Sequence, residues 1–226
     1  MKIFLTGSTG YLGSAIANAL AHHDLMRERR DLRDPSTYRD DPESADAIVH
    51  AAITSGPDRL EVDRAFVETV ASPKLIYTSV MFVLDNVENA DESTPAHGFR
   101  AETERIVLDA GGAVIRPGMI WGGDAFLFAH PLYIDEGMNR WPLVHRDDVA
   151  SLYRLVVESG ARGVFHAVAE VMRAADVFPG KGVPLEEART MLGAFADALA
   201  LDQDVSALHS SAIGWKPTRL RGRGEN

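Results

Sequence analysis

Lys2-Ile3-Phe4-Leu5-Thr6-Gly7-Ser8-Thr9-Gly10-Tyr11-Leu12-Gly13 is the stretch from which the fold is read. Lys2 to Thr6 is a short apolar run bounded by glycine, the length of a buried strand. Ser14 to Ala21 then sets Ile16, Ala17 and Leu20 at helical spacing, so the glycines stand where a strand turns into a helix. A helix N-terminus presents unpaired N–H groups and a partial positive charge, which suits a pyrophosphate. Glycine permits the tight turn and lets the backbone approach phosphate with no Cβ between. The spacing is G-x-x-G-x-x-G, not the commoner G-x-G-x-x-G, and its weight comes from the strand–loop–helix context.

Working outward, Ala47 to Ala52 and Lys74 to Ser79 are continuous apolar runs of the kind found in strands covered on both faces. Between them Leu60 to Val70 has helical periodicity through Val62, Phe66 and Val70. Arg100 to Leu108 reads as a helix, Ala113 to Arg116 as a strand and Gly163 to Val168 as another. Asp147 and Asp148 read as N-caps of a helix reaching about Glu158, and Leu185 to Leu201 reads as one amphipathic helix. Strand and helix alternating with short connections predict an α/β fold built on a doubly wound parallel sheet. The expected arrangement is a single domain over 1–226.

Composition narrows the function. At 226 residues, 46% hydrophobic and 25% charged, the chain resembles an ordinary globular domain. It has no cysteine, which excludes disulfides, thiolate catalysis and Cys-ligated zinc. The net charge of −10 argues against nucleic acid as a partner. No apolar run approaches the roughly 18 residues of a membrane span, and no signal segment precedes the glycine loop, so no membrane partner and a cytoplasmic location are expected. The basic clusters are Arg27, Arg29, Arg30 and Arg33, and the terminal Arg219, Arg221 and Arg223, the latter read as a frayed tail.

Thr6 to Gly13 (TGSTGYLG) resembles the opening of the extended short-chain dehydrogenase/reductases, the NAD(P)-dependent epimerase/dehydratase group. Further resemblances follow in the same order along the chain: Asp31-Leu32-Arg33-Asp34-Pro35, Val49-His50-Ala51-Ala52, Ile76-Tyr77-Thr78-Ser79, Ile115-Arg116-Pro117-Gly118-Met119-Ile120-Trp121-Gly122, Val144 to Ala150, and Gly214-Trp215-Lys216-Pro217. The resemblance implies an α/β, Rossmann-like doubly wound parallel sheet with a small C-terminal substrate lobe, the cofactor-binding core covering about 1–118 and 143–168 and the substrate lobe about 119–142 and 169–226. It also implies an NAD(P)-binding oxidoreductase or epimerase acting on a small-molecule substrate. Gly7, Ser8, Thr9, Gly10, Tyr11, Leu12 and Gly13 would hold the pyrophosphate. Asp31 and Leu32 would border the adenine. Ala51, Ala52 and Thr78 would line the cofactor path, and Pro117 would flank the nicotinamide. Arg27 with Arg29 and Arg30 favours the NADP phosphate, and Glu28 favours the NAD ribose; the balance leans to NADP. Family members also pair through helices matching Leu60 to Val70 and Arg100 to Leu108, which implies a possible homodimer.

The family's catalytic tyrosine stands four residues before a lysine, and that set is not found here. No tyrosine lies between Tyr77 and Tyr133, Arg100 falls at the lysine and Ala96 at the tyrosine. Val80 follows Ser79, and the helix around Val62-Asp63-Arg64 lacks the family's asparagine. The candidates for chemistry are therefore Ser79, His97 and Arg100. His97 suits proton transfer near neutral pH, whereas Arg100 keeps its proton and suits ribose hydroxyls or a substrate carboxylate or phosphate. The plainer readings are an exposed loop histidine, a helix-start charge and a strand-end serine capping backbone. The histidines are scattered without carboxylate partners, so no metal is expected. Trp121, Phe126, Phe128, His130, Pro131 and Tyr133 suit an apolar pocket or equally a lobe core. Two rival readings remain: a non-redox isomerase, cyclase or dehydratase on the same scaffold, and a non-catalytic dinucleotide sensor.

Overall fold

The computed structural model describes residues 1–28, 30–38, 40–123, 132–177 and 180–221. In the first half β1 (Lys2–Thr6), α1 (Tyr11–Ala19), β2 (Asp24–Arg27), α2 (Asp40–Ser44), β3 (Ala47–His50), α3 (Arg59–Val70), β4 (Leu75–Thr78) and β5 (Val87–Ala90) follow one another. Next come α4 (Ala101–Asp109), β6 (Ala113–Pro117), β7 (Met119–Trp121), β8 (Leu132–Ile134), β9 (Arg140–His145), α5 (Arg146–Ser159) and β10 (Gly163–Ala167). The remainder holds β11 (Glu170–Arg173), α6 (Ala174–Val177), β12 (Lys181–Val183), α7 (Leu185–Leu192), α8 (Phe195–Leu199), β13 (Gln203–Val205) and α9 (Leu208–Ala212).

Among the described residues, six strands pair in the order β10-β6-β4-β3-β1-β2, every pair parallel. Side chains alternate between the faces of a strand, and here both faces are apolar. Ile3, Leu5, Val49, Ile76 and Ile115 meet Ile16 and Leu20 of α1 and Leu152 and Val156 of α5. Phe4, Ile48, Leu75, Tyr77 and Val114 point the other way, onto Phe66 and Val67 of α3 and Val107 of α4. The sheet is therefore doubly wound, as the alternation predicts, and Rossmann-like. The chain leaves β1 toward β2 on one side and returns to β3 on the other, which puts the switch in winding direction beyond the C-terminal ends of β1 and β3. Ligands of such sheets bind in that crevice.

A second apolar cluster lies outside the sheet, where Met119, Trp121, Ile134, Trp141 and Leu143 pack with Val177, Val183, Ala188 and Leu199. Its strands form the small sheets β11-β9-β7 and β12-β8. Two local expectations are corrected. Leu185 to Leu201 is two helices, because Gly193 closes α7 at φ +60°, a conformation that ends a helix. α5 starts at Arg146 and is capped by His145, whose Nδ1 accepts from the Asp147 N–H at 3.1 Å. Asp148 is buried instead as an anchor for the C-terminal segment, accepting from the Thr218 and Arg219 amides at 3.1 and 2.9 Å.

Candidate functional site

The glycine loop joins β1 to α1 as the spacing predicts. Gly7 takes φ +73°, and a Cβ there would lie 2.5 Å from the Ala51 carbonyl oxygen. A Cβ on Gly13 would lie 2.0 Å from the Gly7 carbonyl oxygen. The loop is thus pressed onto itself and onto the end of β3, and only glycine fits at those two positions. The Gly10 amide donates to Gly7 at 2.9 Å and Ser14 to Gly10 at 2.9 Å. No side chain caps α1, and its first turn carries no acid. Among the described residues nothing accepts from the Tyr11, Leu12 and Gly13 amides. Ser8 is buried, with its Oγ unpartnered. This is a cradle of free donors shaped for an anion, and it fits the pyrophosphate of a dinucleotide. Tyr11 leaves the cradle sideways, its hydroxyl donating to the Gly122 carbonyl and its ring 5.3 Å from the Arg146 guanidinium. Burial raises the Tyr11 pKa above the ordinary phenol value, so the hydroxyl stays a donor.

The turn beyond β2 is organised by ion pairs. The Glu28 carboxylate is buried and holds the Arg30 backbone amide at 2.6 Å and its Nε at 2.8 Å. Arg30 also reaches Asp41. Glu28 and Arg30 therefore neutralise each other, and neither is free to select a ribose substituent. Arg29 lies outside the described residues. Arg27 is exposed at the end of β2 and, among the described residues, makes no hydrogen bond or ion pair. Asp31 is exposed and caps the Arg33 amide at 3.0 Å. Arg33 crosses to Asp58 at 2.9 Å and to the Ser55 carbonyl at 2.8 Å, tying this turn to the loop after β3. Leu32 is buried in the core beneath α3.

Past the cradle, a cavity of about 220 Å³ is walled by Leu12, Ala51, Ala52, Ile53, Val80, Met81, Phe82, Pro117, Met119 and Ile120. Thr78, Ser79 and Arg100 supply its polar side chains. Ser79 and Arg100 are thus brought together with Leu12, Ala51, Ala52, Thr78 and Pro117. His97 is not among the lining residues; its side chain is exposed, and its amide donates to the Val83 carbonyl at 2.6 Å. Among the described lining residues there is no carboxylate, imidazole, phenol or ammonium group. Ser79 is fully buried with Oγ unpartnered. Arg100 is 6% exposed, donates from Nη1 to the Thr78 carbonyl at 2.8 Å, and leaves Nε unpartnered. Thr78 Oγ1 bonds the His50 carbonyl and the Tyr153 hydroxyl, both at 2.6 Å. Phe126, Phe128, His130 and Pro131 lie outside the described residues, while Trp121 and Tyr133 belong to the second apolar cluster.

Beneath the cavity runs a buried network that sequence reading misses. Thr6 Oγ1 meets His50 Nδ1 at 2.7 Å, His50 Nε2 meets Asp63 Oδ1 at 3.2 Å, and the Tyr77 hydroxyl donates to Asp63 Oδ2 at 2.6 Å. Burial alone would raise the Asp63 pKa, but the hydrogen bond and charge of His50, with Arg100 and Tyr77, leave it below the ordinary carboxylate value. Asp63 stands where the family's asparagine is absent. Its partners are 13 and 14 positions away, and no local pattern marks them. Carboxylates also meet histidines at the far end of α5, where Glu158 lies 2.8 Å from His22 and 3.5 Å from His23. The reading of histidines without carboxylate neighbours is corrected at both places.

No known family profile matches the chain. A sequence relative is an uncharacterized protein of Schizosaccharomyces pombe, 28% identical over 96% of this chain and 95% of that protein. In structure the chain is similar to human epimerase family protein SDR39U1 (isoform 2), solved with NADPH, with a TM-score of 0.84 at 17% identity over 98% of this chain and 97% of that one. It is also similar to the dTDP-glucose 4,6-dehydratase DesIV of Streptomyces venezuelae, solved with NAD, with a TM-score of 0.74 at 15% identity over 97% and 92% of the two chains. The chain has the fold of these epimerase and dehydratase proteins.

Proposed function

We propose that the chain is a shortened, atypical extended short-chain dehydrogenase/reductase that binds NADP and acts on a small molecule held in the cavity. The observation that carries this reading is the free amide cradle at the switch of the sheet, opening onto a largely apolar cavity with Ser79 and Arg100 in it. Gly7 to Gly13 would bind the diphosphate, and Arg27 a 2′-phosphate. Ala51, Ala52, Thr78 and Pro117 would line the nicotinamide half. When bound, that ring would supply or accept a hydride at a substrate carbon. The protein's part would be to exclude water with Met81, Phe82 and Ile120 and to hold the substrate against the nicotinamide with Arg100 and Ser79. A guanidinium is no proton donor near neutral pH, so the proton for a nascent alkoxide would arrive from solvent, with Ser79 hydrogen-bonding the substrate. A pair of copies meeting through α3 and α4 belongs to the proposal, as does a cytoplasmic location; among the described residues no helix is long and apolar enough to cross a membrane.

The absence of an acid or base among the described lining residues favours a second reading, a dinucleotide sensor on the same cradle. Calorimetric titration with NADPH and NADH, followed by single-turnover oxidation of bound NADPH against a panel of small ketones and aldehydes, separates them. Binding with turnover supports the enzyme, and binding without turnover the sensor. No heat with either dinucleotide overturns both.

A further inference from the structure

Two arginines are buried near the C-terminal ends of β4 and β6, and their surroundings differ. Arg116 is 2% exposed and fully answered: Nη2 and Nε meet Glu104 at 2.7 and 3.1 Å, and Nη1 meets the Thr94 carbonyl at 3.1 Å. Arg100 has one carbonyl contact and an edge of aromatic surface, with its guanidinium 5.8 Å from the Tyr77 ring and 6.0 Å from the Phe99 ring. It forms no ion pair among the described residues. Asp63 acts on it only at longer range and is engaged by His50 and Tyr77, and Glu104 is engaged by Arg116. Buried charges are normally paired, because an unpaired one bears its desolvation cost without compensation. Arg100 nevertheless lines the cavity with Nε unpartnered, and so does Ser79, fully buried with Oγ unpartnered.

We infer that the missing partner is the carboxylate of the substrate, so that the proposed enzyme or sensor selects small carboxylic acids with a short apolar body. One negative charge balances one guanidinium, and Ser79 supplies a further donor to the same group. A phosphate dianion would bring a second negative charge that a single guanidinium does not balance in a cavity with mostly apolar walls. Drug-sized ligands occupy pockets of about 300–1,000 Å³; this cavity, at about 220 Å³ with ten apolar lining residues, is smaller and would be shared with the nicotinamide, which leaves room for a small substrate only. The inference deepens the proposed function and rests on its placing of the substrate in this cavity.

The test uses the full chain, with and without saturating NADPH, and calorimetric or saturation-transfer titration with 4-methyl-2-oxopentanoate and its uncharged counterpart 4-methylpentan-2-one. Charge-assisted hydrogen bonds predict that the acid binds about tenfold to a hundredfold tighter than the ketone. Arg100→Met is expected to erase that preference and Arg100→Lys to keep part of it. Because Arg100→Met removes an unanswered buried cation, the ligand-free thermal midpoint should hold or rise, and NADPH binding should persist. Equal affinity for acid and ketone, or no binding of the acid at millimolar concentration, overturns the inference. So does loss of NADPH binding in Arg100→Met, which would assign the arginine to the cofactor. If wild type fails to bind NADPH but keeps the acid preference, the proposed function falls and the carboxylate site stands.

Discussion

Replacing Gly10 by aspartate should separate stability from binding at one atom. Gly10 is the N-cap of α1 with φ −75° and ψ 172°, a geometry open to any residue. A Cβ there meets only the Gly7 carbonyl oxygen, at 3.3 Å, so the loop must give by a few tenths of an ångström. Aspartate is a favoured N-cap, and its carboxylate would accept from the free first-turn amides, improving on glycine by a few tenths of a kcal/mol. In a chain of this size that is a shift in thermal midpoint of about 2 °C or less. Binding should move the other way. The new carboxylate occupies the diphosphate's donors and repels it, at about 4 kcal/mol for one unit pair 4 Å apart in an effective dielectric of 20. That is a loss of about a thousandfold in affinity. Thermal unfolding and calorimetric titration with NADPH, run on the same preparation, read both quantities. A Gly10→Asp protein with an unchanged midpoint and an NADPH affinity within tenfold of wild type would refute the cradle as the dinucleotide site.

Arg27→Ala should weaken NADPH by about tenfold or more while leaving NADH nearly unchanged, since one charge-assisted contact is worth about 1.5–3 kcal/mol; equal losses for both dinucleotides would remove Arg27 from 2′-phosphate recognition. Asp63→Asn leaves a buried donor of His50 or Tyr77 facing the amide NH₂. It should cost about 1–3 kcal/mol, or about 2–12 °C in midpoint, with dinucleotide affinity kept within a few-fold. The Asp63 pKa is depressed in the folded chain, so its contribution is present above the unfolded value of about 3.9 and lost as pH falls toward the folded one; the Asp63→Asn variant should show a flatter acid limb in its stability curve. Burial lowers the His166 and His145 pKa values, so the unfolded chain binds protons first. The midpoint should therefore fall as pH drops from about 7.5 to about 5, and a flat profile in thermal unfolding would contradict the buried neutral imidazoles.

The sheet is legible because its strands are short apolar runs and its first turn needs glycine for steric reasons visible in the spacing. Gly7 and Gly13 each lie against a backbone oxygen that no Cβ can approach. What stays hidden depends on contacts between distant positions. The α7–α8 break turns on the left-handed conformation of one glycine inside an otherwise regular helical pattern. Glu28 and Arg30, weighed as rival signals for the cofactor's ribose, cancel in the structure because two residues of spacing bring them into one ion pair. Ser79 and Arg100 follow from the chain order of the resemblance and do line one cavity, whereas His97, three residues before Arg100, faces solvent. Sequence spacing cannot distinguish those two, since the 3-10 turn at Gly98–Arg100 sets which side chain enters.

The missing tyrosine and the unpaired arginine bear on the same chemistry. A tyrosine–lysine pair moves a proton, and it needs a phenol whose pKa a nearby cation has lowered. Here Tyr77, the phenol beside Arg100, has its pKa raised by burial and is bound to Asp63, so it serves the network beneath the cavity. The Arg100 cation is thereby left without a phenol to act on and with a cavity to face. A fixed positive charge in a cavity with apolar walls stabilises an anion more strongly than it would in water. Any chemistry assigned to this site must therefore use charge stabilisation in place of side-chain proton transfer. A rate that stays level from about pH 6 to about pH 9 would agree with it, because arginine does not titrate there, whereas a bell-shaped profile would require an acid and a base that the described cavity wall does not contain.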